Sequence, residues 1–133
     1  PKLTVSGGIV STAGITPDTR YPWGQCTWWA ATRRADIGKP IPGWGNAATW
    51  AGSAASAGYT VDGSPSAGSV IVFQPGVLGA SADYGHVAMV EEVRGDGSIL
   101  ISESNALGLG VVSTREISAS QLAAAGNGVR YIH

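Results

Sequence analysis

Four residues of this sequence have side chains of the types that carry out acyl transfer: Cys26, His86, Glu103 and Asn105. Cys26 is the only cysteine of the chain. An imidazole that a carboxylate or an amide holds in one tautomer can take the proton of a thiol, and the thiolate then attacks a carbonyl carbon. These residue types therefore predict nucleophilic catalysis by a cysteine, provided that the fold brings them together.

Each of these residues also has a structural interpretation. A lone cysteine is commonly a small buried hydrophobic residue. His86 can cap the end of a strand, and Glu103 and Asn105 can be ordinary end-of-strand residues. The structural interpretations weaken when they are combined, because the only cysteine is at a predicted helix start and the only internal histidine shares a predicted strand face with Glu103 and Asn105.

The element that must position Cys26 is a predicted helix from Gln25 to Asp36. Pro22 and Gly24 favour a turn before it, and Gly38 follows its end. Cys26 is thus expected in the first helical turn, where backbone N–H groups are unpaired and the helix dipole is positive. That environment favours a thiolate over a thiol.

A predicted β-hairpin must position the other three residues. The strands 85–93 and 98–105 are joined by the turn Arg94-Gly95-Asp96-Gly97. A pairing centred on this turn places His86 opposite Asn105 and Ala88 opposite Glu103. The polar side chains then share one face of the sheet, and a slip by one residue would separate His86 from the others.

The remaining pattern predicts an α+β fold in which N-terminal helices pack on an antiparallel sheet of about five to six strands. Residues 1–20 are expected to form an N-terminal arm, and residues 21–133 the catalytic domain. A second helix is predicted from Asn46 to Ala57 and a short third helix from Ala119 to Ala125. Strands are predicted at 8–11, 69–73, 85–93, 98–105, 111–117 and 129–133.

Composition excludes several classes of function. The 133 residues fit one domain, and 44% hydrophobic residues allow a sizeable core. A net charge of -1 without a basic run argues against nucleic acid and anionic membranes as partners. No apolar run approaches the roughly 18 residues of a membrane span. The absence of an initiator Met before Pro1 indicates a domain excised from a longer chain.

The sequence predicts neither a metal nor a cofactor. Two histidines and one cysteine cannot build a typical zinc site without carboxylates. Asp18 is a candidate calcium ligand without a second carboxylate nearby, so the simpler interpretation is a turn residue.

Aromatic residues are candidates for a substrate groove. All five tryptophans lie within the first 50 residues. Trp23 and Trp44 are flanked by Gly and Pro, so their indoles are expected either to line a groove wall, where they stack on sugars or peptides, or to pack simply. Tyr84 is the third candidate. Loops 39–45 and 74–84 are expected to set specificity.

Five segments of the chain resemble the cysteine- and histidine-dependent amidohydrolase/peptidase (CHAP) family, which belongs to the papain-like and NlpC/P60-related group. They run in family order from Tyr21 to Asn105: Gly-Gln-Cys-Thr-Trp at 24–28, Gly-Asn-Ala-Ala-Thr-Trp at 45–50, Pro-Ser-Ala-Gly-Ser-Val-Ile-Val-Phe at 65–73, Gly-His-Val-Ala-Met-Val at 85–90 and Ile-Ser-Glu-Ser-Asn at 101–105. The resemblance implies a papain-like fold. It also implies that Cys26 is the nucleophile, His86 the base, Glu103 the orienting third member and Asn105 a supporting polar residue.

The resemblance further implies a peptidoglycan hydrolase, either an N-acetylmuramoyl-L-alanine amidase or an endopeptidase. The expected partner is a stem peptide or cross-bridge of bacterial peptidoglycan. The protein is expected to be monomeric, and to be secreted, cell-wall associated or phage-borne. In such a mechanism the Cys26 N–H and a second donor, Gln25 or Tyr21, would hold the oxyanion. Some members bind calcium through an acidic loop before the cysteine, a region where this chain offers only Asp18.

Two alternatives stay open. The chain can be a non-catalytic module of the same fold that binds the cell wall or a protein partner. It can also be a cysteine amidase or transferase that acts outside the cell wall with the same Cys–His pair.

Overall fold

The structure, a computed structural model, describes residues 2–133; Pro1, the first residue of the predicted arm, lies outside the described residues. Those residues form one antiparallel sheet of eight strands in the order β1-β2-β7-β6-β5-β4-β8-β3. The strands are β1 (Thr4–Ser6), β2 (Ile9–Ser11), β3 (Val61–Asp62), β4 (Val70–Phe73), β5 (His86–Val93), β6 (Ile99–Ser104), β7 (Val112–Ile117) and β8 (Val129–Ile132). The α-helices are α1 (Cys26–Asp36), α2 (Trp50–Ser56) and α3 (Ala119–Ala125).

The α+β class and the antiparallel sheet are confirmed, but the predicted number of five to six strands is wrong. The two strands beyond the six predicted are β1 and β3, which have three and two residues. Strands this short have fewer than the four to eight residues over which alternation of apolar and polar residues identifies a strand. Both lie at the ends of the sheet, where β1 pairs only with β2 and β3 only with β8.

The second helix is interrupted at its start. Residues Ala47–Thr49 form a 3₁₀ turn, and α2 begins only at Trp50. The Thr49 hydroxyl donates a hydrogen bond to the Asn46 carbonyl at 2.7 Å, and the Thr49 N–H binds the same carbonyl at 3.0 Å. The side chain thus competes for the carbonyl that an α-helical turn would use.

A buried polar network fixes α1 to the middle of the sheet. Trp29 Nε1 donates to Ser102 Oγ at 2.9 Å, and Ser102 Oγ donates to Glu91 Oε2 at 2.8 Å. Arg33 pairs with Glu91 through Nε and Nη2 at 3.1 and 2.8 Å. Because these partners lie on β5 and β6, the start of α1 keeps a fixed position relative to the start of β5.

The pairing of β5 with β6 decides which side chains share a face. Met89 pairs with Ser102 and Val90 with Ile101, which is the predicted register. An irregularity at Glu91 shifts the pairing by one residue on the turn side, where Glu92 pairs with Leu100. The predicted register therefore holds at Met89 and Val90, on the side of the irregularity where the strands carry His86 and Glu103.

Two hydrophobic cores cover the two faces of the sheet. One contains α1, α2 and side chains such as Val72, Val87 and Met89. The other contains Phe73, Ala88 and Ile101, with α3 against its rim. The longest helix has 11 residues, and no helix within residues 2–133 has the length and apolar character of a membrane span.

Candidate active site

Cys26 is the first residue of α1, so it lies in the first helical turn, as predicted, although the helix begins one residue later than the predicted Gln25. Gly24 precedes it with a φ of 82°, and a Cβ at that position would lie 2.7 Å from the Gly110 backbone nitrogen. A glycine is therefore required for the turn that ends at the helix. The backbone N–H groups of Thr27 and Val87 lower the pKa of the thiol, and the positive end of the helix dipole adds to their effect.

His86 is the first residue of β5 and is held from two sides. Gly85 has a φ of 71°, and a Cβ there would lie 2.5 Å from the Phe73 carbonyl oxygen. The ring packs against Phe73 with centroids 5.4 Å apart. His86 Nε2 lies 2.9 Å from Glu103 Oε1, which leaves the other ring nitrogen free to interact with the Cys26 thiol, the group that most raises the pKa of His86.

The environment favours the charged forms of both Cys26 and His86. Burial raises the pKa of the Cys26 thiol, but the hydrogen bond and charge of His86 and the two backbone N–H groups outweigh it, so the pKa lies below its ordinary value. Burial lowers the pKa of His86, but its hydrogen bonds with Cys26 and Glu103 raise it to about 9. At pH values between the pKa of Cys26 and that of His86, the two side chains therefore form a thiolate–imidazolium pair.

Glu103 is buried, with 3% of its surface exposed. Burial raises the pKa of its carboxyl group, whereas the His86 hydrogen bond and the charge of Arg115 lower it, and the net shift is downward. The carboxylate is thus ionised where it meets His86.

Sequence reasoning missed Arg115. Its Nε and Nη2 donate to Glu103 Oε2 and Oε1, each at 3.0 Å. Arg115 lies on β7, where it pairs with Ile101, two residues before Glu103 on β6. Only the register between β6 and β7 would have revealed this neighbour, and the seven residues that join the two strands do not determine that register.

Asn105 lies at the site but not in the predicted contact. β6 ends at Ser104, and Asn105 has a left-handed φ of 67°. Its Nδ2 donates to Gln25 Oε1 at 3.2 Å, rather than to the His86 ring that it was predicted to oppose. The chain turns out of the strand at this residue, so the alternation of faces no longer applies.

Two hollows meet at Cys26. The first has a volume of about 590 Å³ and runs past His86 and Glu103 to Leu107 and Arg115. The second has a volume of about 470 Å³ and is lined by a different set of residues, among them Tyr21, Gly43, Gly45 and Asn46. Gln25, Cys26, Tyr84 and Gly85 line both. The sulfur therefore lies where the two halves of a cleft join, and Tyr84 lies on the shared rim.

The structure separates the two predicted oxyanion donors. The Tyr21 hydroxyl accepts the Trp44 N–H at 2.6 Å and donates to the Pro42 carbonyl at 3.2 Å. Its proton is engaged in fixing loop 39–45, so Tyr21 is not a free donor. Gln25 lines both hollows, and the bond from Asn105 to its Oε1 leaves the Nε2 group as the donor end.

The structure does not bring Trp23 or Trp44 to this cleft. Trp23 is exposed and packs beside Trp28 with ring centroids 5.9 Å apart. Trp44 packs edge-on against Trp50 and Tyr59, with centroids 5.6 and 5.2 Å away. Of the three residues predicted for a groove wall, only Tyr84 lines the two hollows.

Asp18 binds its own turn. Its carboxylate accepts the backbone N–H groups of Arg20 and Tyr21 at 2.9 Å each and pairs with Arg20 Nε at 3.0 Å. Across residues 2–133 there is no group of three or more His, Cys, Asp and Glu side chains that could hold a metal ion.

Comparisons with known proteins found a matching family model and several similar proteins. The CHAP domain model matches residues 16–105. The N-acetylmuramoyl-L-alanine amidase sle1 of Staphylococcus aureus (strain MRSA252) is 40% identical, over 99% of this chain and 41% of that protein. An N-acetylmuramoyl-L-alanine amidase domain-containing protein of Staphylococcus aureus (strain NCTC 8325 / PS 47) is 45% identical, over 80% of this chain and 17% of that protein.

A solved structure is also similar. The crystal structure of an N-acetylmuramoyl-L-alanine amidase from Staphylococcus aureus superposes with a TM-score of 0.79 and 41% identity, covering 86% of this chain and 31% of that one. The chain therefore spans less than half the length of each of these relatives.

Proposed function

The chain belongs to the CHAP domain family, and on this basis we propose that it is a peptidoglycan hydrolase that cleaves an amide bond with Cys26 as its nucleophile. His86 is the general base and acid, and Glu103 orients it. The observation that carries the proposal is that Cys26, His86 and Glu103 line one hollow, with His86 Nε2 2.9 Å from Glu103 Oε1 and with Cys26 and His86 each shifting the pKa of the other. A helix-borne cysteine beside a sheet-borne histidine also supports the papain-like description of the fold.

The mechanism follows from the charges at the site. The Cys26 thiolate attacks the carbonyl carbon, and the carbonyl oxygen becomes an oxyanion that the Cys26 N–H and the Gln25 side chain stabilise. His86 as imidazolium then gives its proton to the leaving amine, and a thioester remains. Water attacks the thioester, neutral His86 takes its proton, and the acid product and the thiolate are released. Such proton transfers contribute roughly 10²- to 10⁴-fold to the rate.

The relatives favour one bond. The sle1 protein and the superposed structure are both named N-acetylmuramoyl-L-alanine amidases. We therefore assign the amide between the lactyl group of muramic acid and L-alanine as the preferred substrate bond, with peptide bonds of the stem or cross-bridge as the alternative. This substrate places the working protein in or next to the bacterial cell wall.

The experiment is digestion of purified peptidoglycan by the wild-type chain and by Cys26→Ala, with the released fragments analysed by mass spectrometry. We expect the wild type to release stem peptides with a free L-alanine amino group, and Cys26→Ala to release none while its circular dichroism spectrum is unchanged. Fragments that keep the lactyl–alanine bond would instead identify an endopeptidase. Equal digestion by Cys26→Ala would refute the nucleophile.

The same experiment separates the alternatives. A binding module would sediment with peptidoglycan without releasing fragments, and an alkylating reagent would modify its thiol only slowly below pH 7. In an enzyme that acts outside the cell wall, Cys26 would be alkylated quickly, yet the protein would release nothing from peptidoglycan.

A further inference from the structure

We propose that Arg115 is a positioning residue of the site, which holds the Glu103 carboxylate in the orientation that binds His86. This inference rests on the proposed catalytic role of Cys26 and His86. None of the sequence patterns that identify Cys26, His86 and Glu103 includes Arg115.

Arg115 binds both oxygens of the Glu103 carboxylate. Oε2 accepts Arg115 Nε, and Oε1 accepts Arg115 Nη2 while it also binds His86 Nε2. The planar guanidinium group donates two nearly parallel hydrogen bonds, so it fixes the rotation of the carboxylate as well as its position. Without that fork, the carboxylate can turn Oε1 away from the imidazole.

Arg115 is itself held by contacts that a merely solvated arginine would lack. Its Nη1 donates to the Leu78 carbonyl at 2.8 Å, and its guanidinium lies over the Phe73 ring, 5.5 Å from the centroid. Phe73 also packs against the His86 ring. Arg115 therefore joins the carboxylate, the ring that supports the imidazole and a turn that lines the cleft.

A positioning role and a purely electrostatic role of Arg115 predict opposite effects of its removal on the thiolate–imidazolium pair. If only its positive charge mattered, its removal would strengthen the attraction between Glu103 and the imidazolium, and the thiolate–imidazolium pair would persist. If Arg115 holds the carboxylate in place, its removal weakens the bond between Glu103 and His86, and the fraction of thiolate at neutral pH falls.

The test measures the rate at which iodoacetamide alkylates Cys26 at pH 6.5, which needs no peptidoglycan. We expect Arg115→Met to slow alkylation on the order of tenfold, by analogy with the loss when an outer-shell partner of a metal-bound histidine is removed. The matched control is Arg94→Met, because Arg94 also pairs with a glutamate of the same sheet, Glu116, and its side chain is 37% exposed against 35% for Arg115. Arg94→Met should alkylate at the wild-type rate.

Two further variants test whether Arg115 acts through its paired hydrogen bonds to Glu103. Arg115→Lys keeps the charge but not the fork, so we expect it to remain slow, and it carries the test if Arg115→Met does not fold. In a Glu103→Gln background, Arg115→Met should cause no further loss, because Arg115 acts through Glu103.

An unchanged or faster rate for Arg115→Met, a wild-type rate for Arg115→Lys, or an equal further loss in the Glu103→Gln background would overturn the proposal. Because alkylation reports the ion pair alone, these results stand apart from the peptidoglycan digestion. A slow Arg115→Met together with a wild type that digests no wall would leave the positioning role intact and refute only the proposed substrate.

Discussion

Cys26 and His86 are both largely buried, yet both favour their charged forms. Burial alone would make the thiol and the imidazole neutral, and only their mutual hydrogen bond, the backbone N–H groups and Glu103 reverse that tendency. The charge of each group thus depends on the other, so the two titrate as a coupled pair.

The coupled pair predicts the pH dependence of the reaction. The thiolate is present above the lowered pKa of Cys26, and the imidazolium that protonates the leaving amine is present below about pH 9. We expect kcat/KM to rise with pH as Cys26 ionises, at a pH below the ordinary pKa of a thiol, and to fall with a midpoint near 9. In Glu103→Gln the anion that helps to raise the pKa of His86 is lost, so the falling limb should move to lower pH.

The measurement is kcat/KM for a soluble muropeptide between pH 5 and 10. A falling limb that stays in place in Glu103→Gln would contradict the role of Glu103. So would a larger loss of activity in Glu103→Gln than in His86→Ala.

The two proposed catalytic side chains belong to the first residues of their secondary structure elements, Cys26 at the start of α1 and His86 at the start of β5. Each is preceded by a glycine that no other residue replaces without strain, Gly24 and Gly85. The side chains are therefore aimed by the turns that begin these elements.

Gly85→Ala tests whether the turn before β5 orients the His86 side chain. The added methyl group would meet the Phe73 carbonyl at 2.5 Å in a left-handed conformation, which costs about 1–2 kcal/mol for the backbone conformation alone. We expect a loss of at least that free energy of unfolding in urea, with slower alkylation of Cys26. Gly95→Ala is the control, since a Cβ there meets nothing within 4 Å, and it should be close to neutral. Equal stability of the two variants would contradict the strain at Gly85.

The parts of the site that sequence predicts are those that depend on local periodicity. Helix capping signals place Cys26 in a helical turn, and a pairing centred on the turn between β5 and β6 predicts the register found at Met89 and Val90, although the irregularity at Glu91 shifts the pairs nearer the turn. Arg115 and the bond from Asn105 to Gln25 depend instead on the longer connection 105–111 and on one left-handed residue. Neither leaves a periodic pattern in the sequence.

At the scale of the whole molecule, the N-terminal residues extend the sheet. β1 and β2 form a hairpin, and Ile9 of β2 pairs with Ser113 of β7. Val10 is buried in the same core as Trp29, and the Asp18 N–H donates to Thr32 Oγ1 of α1 at 2.9 Å. The division into an arm at 1–20 and a catalytic domain at 21–133 stays a prediction, and these contacts supply a way to test it.

Val10 and Val5 face each other in the hairpin and differ in burial, with 5% and 44% of their surfaces exposed. We expect Val10→Ala to lower the free energy of unfolding by about 1–2 kcal/mol, since two buried methyl groups are lost at roughly 0.8 kcal/mol each. Val5→Ala should stay within about 0.5 kcal/mol of the wild type. If urea unfolding shows no difference between the two variants, residues 1–20 behave as a separate arm.

The sulfur that faces the cleft as a thiolate is also the atom most open to oxidation. Peroxide reacts with thiolates far faster than with thiols, and the first product is a sulfenic acid. In many redox-regulated proteins a neighbouring cysteine traps that product as a disulfide, but this chain has no second cysteine. Recovery of the oxidised sulfur would then depend on small thiols from the surroundings, before a second equivalent of peroxide makes the damage permanent.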